Sequence, residues 1–222
     1  MSESILMAAL KRLFGNFRKT KSSAKAEAEA SASIQWVVAG LGNPGEQYSR
    51  TRHNAGFMTI DRIAKANGVE LNRRRFKGLT AEVMLTGQPA ILVKPQTFYN
   101  LSGECLADLL GYFKVPAERL IVVHDELDIE AGRLRLKRGG SDAGNRGIRS
   151  VAEALGTPDF IRVRIGIGRP PANDPSKDYL LRPLGAAERE QFSPNLDRAA
   201  SAVIEIVASG LERAMNLHNQ RV

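Results

Sequence analysis

An apolar, β-branched run at Ile34, Trp36, Val37 and Val38 that stops at Gly40-Leu41-Gly42-Asn43-Pro44-Gly45 leaves this chain few folds to adopt. A run of that kind, ended by glycines, reads as a buried strand closing in a tight loop that exposes backbone groups. Thr51-Arg52-His53-Asn54 follows, and Phe57, Ile60, Ile63 and Ala64 then recur at helical spacing. Asn54 is therefore expected to cap a helix, with His53 in the crevice between strand and helix. In open α/β sheets ligands bind in that crevice, at the carboxyl ends of strands.

Gly40-x-Gly42-x-x-Gly45 also spells a dinucleotide-binding fingerprint, but the physical match is poor. Pro44 removes a backbone donor from the phosphate cradle, and no helix opens at the third glycine. The nearest acid at the required distance, Asp61, falls inside the expected helix, whereas the fingerprint needs it at the end of a second strand. For a lone histidine such as His53 the default role is a cap or a surface group, so other segments must decide its function.

Length and composition narrow the field. The 222 residues, 43% of them hydrophobic, allow one globular unit with an appendage. A single cysteine, Cys105, excludes an internal disulfide framework, and His53, His124 and His218 show no metal-ligand spacing. The formal charge of +8 points to a polyanionic partner. Residues 1–33 differ in kind from the rest. Ile5, Leu6, Leu10, Leu13 and Phe14 alternate with Lys11, Arg12, Arg18, Lys19 and Lys21 in a basic amphipathic stretch, and Lys25 to Ser33 reads as a linker. A secretory signal is rejected, import into an organelle through this extension is left open, and no run reaches the ~20 apolar residues of a membrane span.

Along the chain, 79–85 and 90–93 flank Thr86-Gly87-Gln88-Pro89 as a hairpin, which makes the sheet mixed. A polar loop, Lys94 to Asn100, carries Phe98 and precedes a helix containing Leu106, Leu109 and Phe113, with Asn100 or Ser102 expected as its cap. Leu120-Ile121-Val122-Val123 is a central strand that delivers His124-Asp125-Glu126-Leu127-Asp128 to its end. A divalent cation is one use for clustered carboxylates, but no further acid or histidine group lies nearby. The other is for Asp125 to hold a histidine's ring N–H, leaving the second nitrogen free to take a proton from water. His124, next to Asp125 on an extended strand, should face the opposite side, which favours His53 as the partner. Residues 132–137 resume an extended segment, Arg138 to Gly147 form a glycine-rich loop, and a helix is expected from Ile148. Phe160 to Ile167 alternates Arg162 and Arg164 with apolar residues, a half-buried strand whose guanidiniums suit phosphate. Residues 186–216 read as one long or broken amphipathic helix, interrupted near Pro194, with packing as its role and a lid as the other use for it.

Taken together, GLGNPGEQYSRTRHNAGF (40–57), KPQTFYNLSG (94–103), VVHDELD (122–128), the glycine-rich loop, FIRVRIGIGRP (160–170) and GLERAMNLHN (210–219) resemble the bacterial-type peptidyl-tRNA hydrolases. The resemblance implies a single α/β domain over 34–222, with a central mixed, mostly parallel sheet flanked by helices. It implies a monomeric cytoplasmic enzyme of translation and ribosome rescue, without metal, cofactor or membrane partner, that hydrolyses the ester between a peptide and the 3′-terminal ribose of peptidyl-tRNA. By motif, His53 would be the general base, Asp125 its orienting carboxylate, and Asn43 the sensor of the blocked α-amino group. Tyr48, Phe98 and Asn100 would touch the tRNA end, and Lys137 and Arg164 its phosphate. The chain departs from the family pattern where Asn145-Arg146 stands for His-Asn and Tyr99-Asn100 for Met-Asn. Asn145 is expected to substitute from the neighbouring position and Arg146 to add phosphate affinity. The alternative is a catalytically inactive RNA-binding descendant of the same fold that acts in RNA processing.

Overall fold

The computed structural model describes residues 34–220 apart from Ala172; the basic stretch and linker expected at 1–33 lie outside the described residues. The first strand, β1 (Trp36–Gly40), is buried along its whole length. It is followed by α1 (Ala55–Ala66), β2 (Arg73–Arg75), β3 (Gly78–Leu85), β4 (Gln88–Pro95), α2 (Ser102–Phe113) and β5 (Leu120–Glu126). The chain continues through β6 (Leu134–Arg138), α3 (Arg146–Leu155), β7 (Ile161–Gly166), α4 (Ser176–Leu181), α5 (Ala186–Ser209) and α6 (Leu211–His218). The seven strands form one sheet in the order β2-β3-β4-β1-β5-β7-β6. The centre, β4-β1-β5-β7, is parallel, while β2, β3 and β6 pair antiparallel at the flanks. The hairpin turns at Thr86-Gly87, both with positive φ, in the manner of a two-residue turn matched to strand twist.

Both faces are covered, which is why β1 and the first four residues of β5 are apolar. Trp36, Val38, Ile121 and Val123 join Ile60 and Ile63 of α1 and Leu196, Ala199, Val203 and Ile206 of α5 in one core layer. The alternate residues Val37, Ala39 and Val122 are equally buried on the opposite face, the side of α2 with its buried Cys105, Leu106, Leu109 and Phe113. Burial pushes the Cys105 thiol up to about 12, so it is an inert core group. Among the described residues no helix is long and apolar enough to cross a membrane.

Several local expectations are corrected. Asn54 makes no cap bond to α1, and neither Asn100 nor Ser102 caps α2; Ser102 Oγ instead donates back to the Tyr99 carbonyl. Helix α3 begins at Arg146, two residues before Ile148, because Asn145 accepts from the Gly147 and Ile148 amides. Pro194 sits within a continuous α5, and the break falls at Gly210, where φ is +88°. Arg162 is no phosphate reader. It is buried, and its guanidinium donates to the carbonyls of Gly140 and Ser141, pinning the glycine-rich loop from beneath.

Candidate active site

The glycines after β1 serve backbone packing. A Cβ on Gly40 would stand 2.3 Å from the Gly56 carbonyl oxygen, and one on Gly56 would stand 2.4 Å from the Leu41 amide and the Val123 carbonyl. The start of α1 therefore lies directly on the ends of β1 and β5, which carries the preceding turn, Arg52–Asn54, to the carboxyl edge of the sheet. The fingerprint spelling is thus explained by strand–helix contact, and the segment after Gly45 is a short 3-10 turn, Glu46–Tyr48. Asn54 clamps the loop: its Oδ1 accepts from the Asn43 amide at 2.8 Å and its Nδ2 donates to the Asn43 carbonyl at 3.0 Å.

At this edge His53 Nδ1 lies 2.9 Å from Asp125 Oδ2, across 72 positions of sequence. A buried carboxylate can only accept, so the proton belongs on Nδ1 and Nε2 is left as the basic nitrogen. The other carboxylate oxygen, Oδ1, accepts from the Tyr99 hydroxyl at 2.9 Å, and that hydroxyl accepts from Asn145 Nδ2 at 3.0 Å. The Tyr99 ring stacks on the imidazole with centroids 3.6 Å apart and planes 17° apart. The Tyr99 amide donates to Asn43 Oδ1 at 2.9 Å, which commits that oxygen and leaves the Asn43 NH2 as the available donor. Burial alone would raise the Asp125 carboxyl; the His53 ring, the His124 ring and the Tyr99 hydroxyl together hold it below the usual range. Burial and the Asp125 charge push the Tyr99 hydroxyl well above its ordinary value, so it stays a donor. His124 is buried, its Nδ1 2.8 Å from the Asp125 carbonyl, and burial lowers it to about 4, which keeps it neutral.

These groups open onto a cleft of about 770 Å³ whose walls include Asn43, His53, Phe98, Asn100, Asn145, Arg146, Lys177 and Leu181. Of the sequence-derived candidates, Asn43, His53, Asp125, Phe98, Asn100, Asn145 and Arg146 therefore meet in one place. Tyr48, Lys137 and Arg164 do not line the cleft. Arg164 is held by the buried Glu126, with Nε and Nη2 at 3.1 and 3.0 Å from the same oxygen. Lys137 has no carboxylate within ion-pair distance among the described residues, and burial followed by Arg164 and Arg162 holds it below the usual lysine value. The carboxylates at the end of β5 and just beyond it each have a partner: Asp125 pairs with His53, Glu126 with Arg164, and Asp128 with Arg169. Phe98 lines the cleft with 60% of its surface exposed.

Sequence reasoning missed three contributors. Tyr99 registered only as a departure from a motif, Asn54 as a cap, and Glu126 as one of an acidic cluster. Only the adjacency of Tyr99 and Asn54 to motif residues marked them.

The family profile described as Peptidyl-tRNA hydrolase matches residues 37–222. The peptidyl-tRNA hydrolase of Frankia casuarinae is 48% identical over 184 residues, spanning 83% of this chain and 93% of its own. That of Carboxydothermus hydrogenoformans is 44% identical over 185 residues, spanning 83% and 98%. Among solved structures, the peptidyl-tRNA hydrolase from Acinetobacter baumannii superimposes with a TM-score of 0.78 at 32% identity, covering 84% of this chain and 95% of that one.

Proposed function

The chain belongs to the peptidyl-tRNA hydrolase family, and from that premise we propose that it cleaves the ester joining a peptide to the terminal ribose of tRNA with His53 as general base. The observation that carries this is the 2.9 Å contact of His53 Nδ1 with the buried Asp125 at the floor of an open cleft. Water bound at Nε2 loses its proton to His53 as its oxygen attacks the ester carbonyl, and Asp125 stabilises the imidazolium that forms. Negative charge develops on the carbonyl oxygen, and the side-chain amides of Asn43 and Asn100 are the neutral donors at hand to meet it. Collapse of the tetrahedral adduct breaks the bond to the ribose oxygen, which takes the proton back from His53. No serine or cysteine nucleophile, metal or cofactor enters this scheme.

The tRNA end enters past Phe98 and Asn100, with Arg146 and Lys177 supplying positive charge along the cleft and Tyr48, Lys137 and Arg164 serving phosphate or ribose beyond it. The reading carries with it a monomer acting in the cytoplasm, and a basic extension at 1–33 appended to the catalytic domain. The relatives lend no support to the inactive RNA-binding alternative. The test is turnover of N-blocked aminoacyl-tRNA by wild type and His53→Ala. Loss of general base catalysis lowers kcat by about 10²–10⁴. An inactive wild type that still binds tRNA would select the alternative.

A further inference from the structure

We propose that the Tyr99 hydroxyl is a positioning group for hydrolysis: aimed by Asn145, it fixes the Asp125 carboxylate so that the His53 proton stays on Nδ1 and Nε2 faces water. This rests on the reading of His53 as base and Asp125 as its orienting acid.

The chain of constraint starts at the end of α3. Asn145 Oδ1 receives the Gly147 and Ile148 amides, both at 3.1 Å, so the end of the carboxamide that faces Tyr99 is its NH2 group. That group donates to the Tyr99 oxygen at 3.0 Å. The hydroxyl has one proton, and the acceptor left for it is Asp125 Oδ1 at 2.9 Å. One oxygen of the carboxylate is thereby committed, and the other is presented to His53 Nδ1. The ring is held as firmly as the hydroxyl. One face lies on the imidazole at 3.6 Å, and a Cβ on Gly147 would come within 2.4 Å of Tyr99 Cε1, so only glycine at 147 admits the ring there. Tyr99 thus touches the base through its ring, the acid through its hydroxyl, and Asn43 through its amide. A methionine at this place would supply neither the stacking face nor the hydroxyl.

The test uses Tyr99→Phe, which keeps the ring and removes the donor, and Asp125→Asn. Tyr99→Phe is expected to lower kcat roughly 10-fold and leave KM within about 2-fold, since the hydroxyl bonds to a charged group and touches no substrate. In Asp125→Asn the Tyr99 hydroxyl demands the carboxamide oxygen, which turns the NH2 toward His53 and forces the proton onto Nε2, with a loss on the order of 10⁴-fold. Adding Tyr99→Phe frees the carboxamide to turn over, and the double variant should recover at least about 10-fold over Asp125→Asn alone, a reversal no general loss of packing can produce. Asn145→Ser, which retains the helix cap but withdraws the amide that aims the hydroxyl, gives a second route to a lowered kcat. A wild-type kcat in Tyr99→Phe, or a double variant no more active than Asp125→Asn, overturns the proposal. His53→Ala run in parallel separates the two levels: full activity there sinks the base assignment itself, while an inactive His53→Ala beside an unaffected Tyr99→Phe sinks only the role of Tyr99.

Discussion

Asn145 has two separable duties, and substitutions at this position tell them apart. Its Oδ1 caps α3 through two amides, and its Nδ2 donates to the Tyr99 oxygen. Asn145→Ala removes both: the cap is worth about 1 kcal/mol and the neutral hydrogen bond about another. For a domain of this size each kcal/mol moves the melting temperature by about 2–4 °C, so Asn145→Ala should melt about 4–8 °C lower. Asn145→Ser retains an oxygen able to cap and loses only the donor, so its melting point should fall by about half as much. Activity should divide differently. Both variants leave the Tyr99 hydroxyl free to rotate away from Asp125, and in both kcat should drop by about 5-fold, the factor corresponding to about 1 kcal/mol. Thermal unfolding by circular dichroism and steady-state hydrolysis of N-blocked aminoacyl-tRNA on the same preparations give the two readings. Wild-type kcat in Asn145→Ser with a deficit confined to Asn145→Ala would show that the cap alone matters. Unchanged kcat/KM in both would remove Asn145 from the site altogether.

Other consequences follow from the ion pairs and the buried histidine. Arg164→Ala strands the buried Glu126 carboxylate and should destabilise the fold by about 3–5 kcal/mol, seen as a lowered denaturation midpoint, whereas Glu126→Gln/Arg164→Met should recover much of that loss. Lys137→Ala breaks no ion pair among the described residues; it should leave the melting temperature within about 2 °C and weaken tRNA binding while reducing the salt slope by about one unit, in a filter-binding titration across salt concentrations. His124 is held at about 4 by burial, below its unfolded value near 6.5, so the unfolded chain binds the extra proton between those limits. Stability should therefore fall as pH drops from about 6.5 to 4, by up to about 3 kcal/mol, and His124→Gln should flatten that part of the curve. Asp125, held low in the fold, loses its own contribution only at more acid pH, as the pH falls through its folded value.

The sheet was legible because β1 and β5 are buried on both faces and so spell uninterrupted apolar runs at 36–40 and 120–123, the first ending in glycines and the second in His124-Asp125-Glu126. The meeting of His53 with Asp125 was legible for a related reason: Asp125 stands at the end of the second run, and His53 sits in the turn Arg52–Asn54 that the packing of α1 returns to the same carboxyl edge of the sheet. What could not be read is everything set by a partner distant in sequence. Arg162 and Arg164 look alike on a strand of alternating residues, yet one is buried beneath the glycine-rich loop and the other is paired with Glu126. Strand β2 is Arg73–Arg75, three cations with no strand period, and it exists because β3 offers it an edge. Asn54 carried the cap signal, but its side chain found the Asn43 backbone, which no local rule anticipates.

Tyr99 and Asn145, 46 positions apart in the sequence, are in space one feature. Tyrosine at 99 brings a hydroxyl to the buried Asp125, and a buried hydroxyl that both donates and accepts needs a donor aimed at its oxygen. Asn145 supplies that donor and can do so only because its own oxygen is committed to α3, a division of labour that fixes the sense of every hydrogen bond from helix end to imidazole. An imidazole at 145 has one nitrogen to cap with and one to donate with, and its ring holds them in a different geometry from the carboxamide oxygen and nitrogen that here serve α3 and the Tyr99 hydroxyl. Positions 99 and 145 should therefore tolerate exchange only together. Tyr99→Met combined with Asn145→His should outperform either single substitution in kcat/KM, and additive losses would mean that the two residues serve the reaction independently.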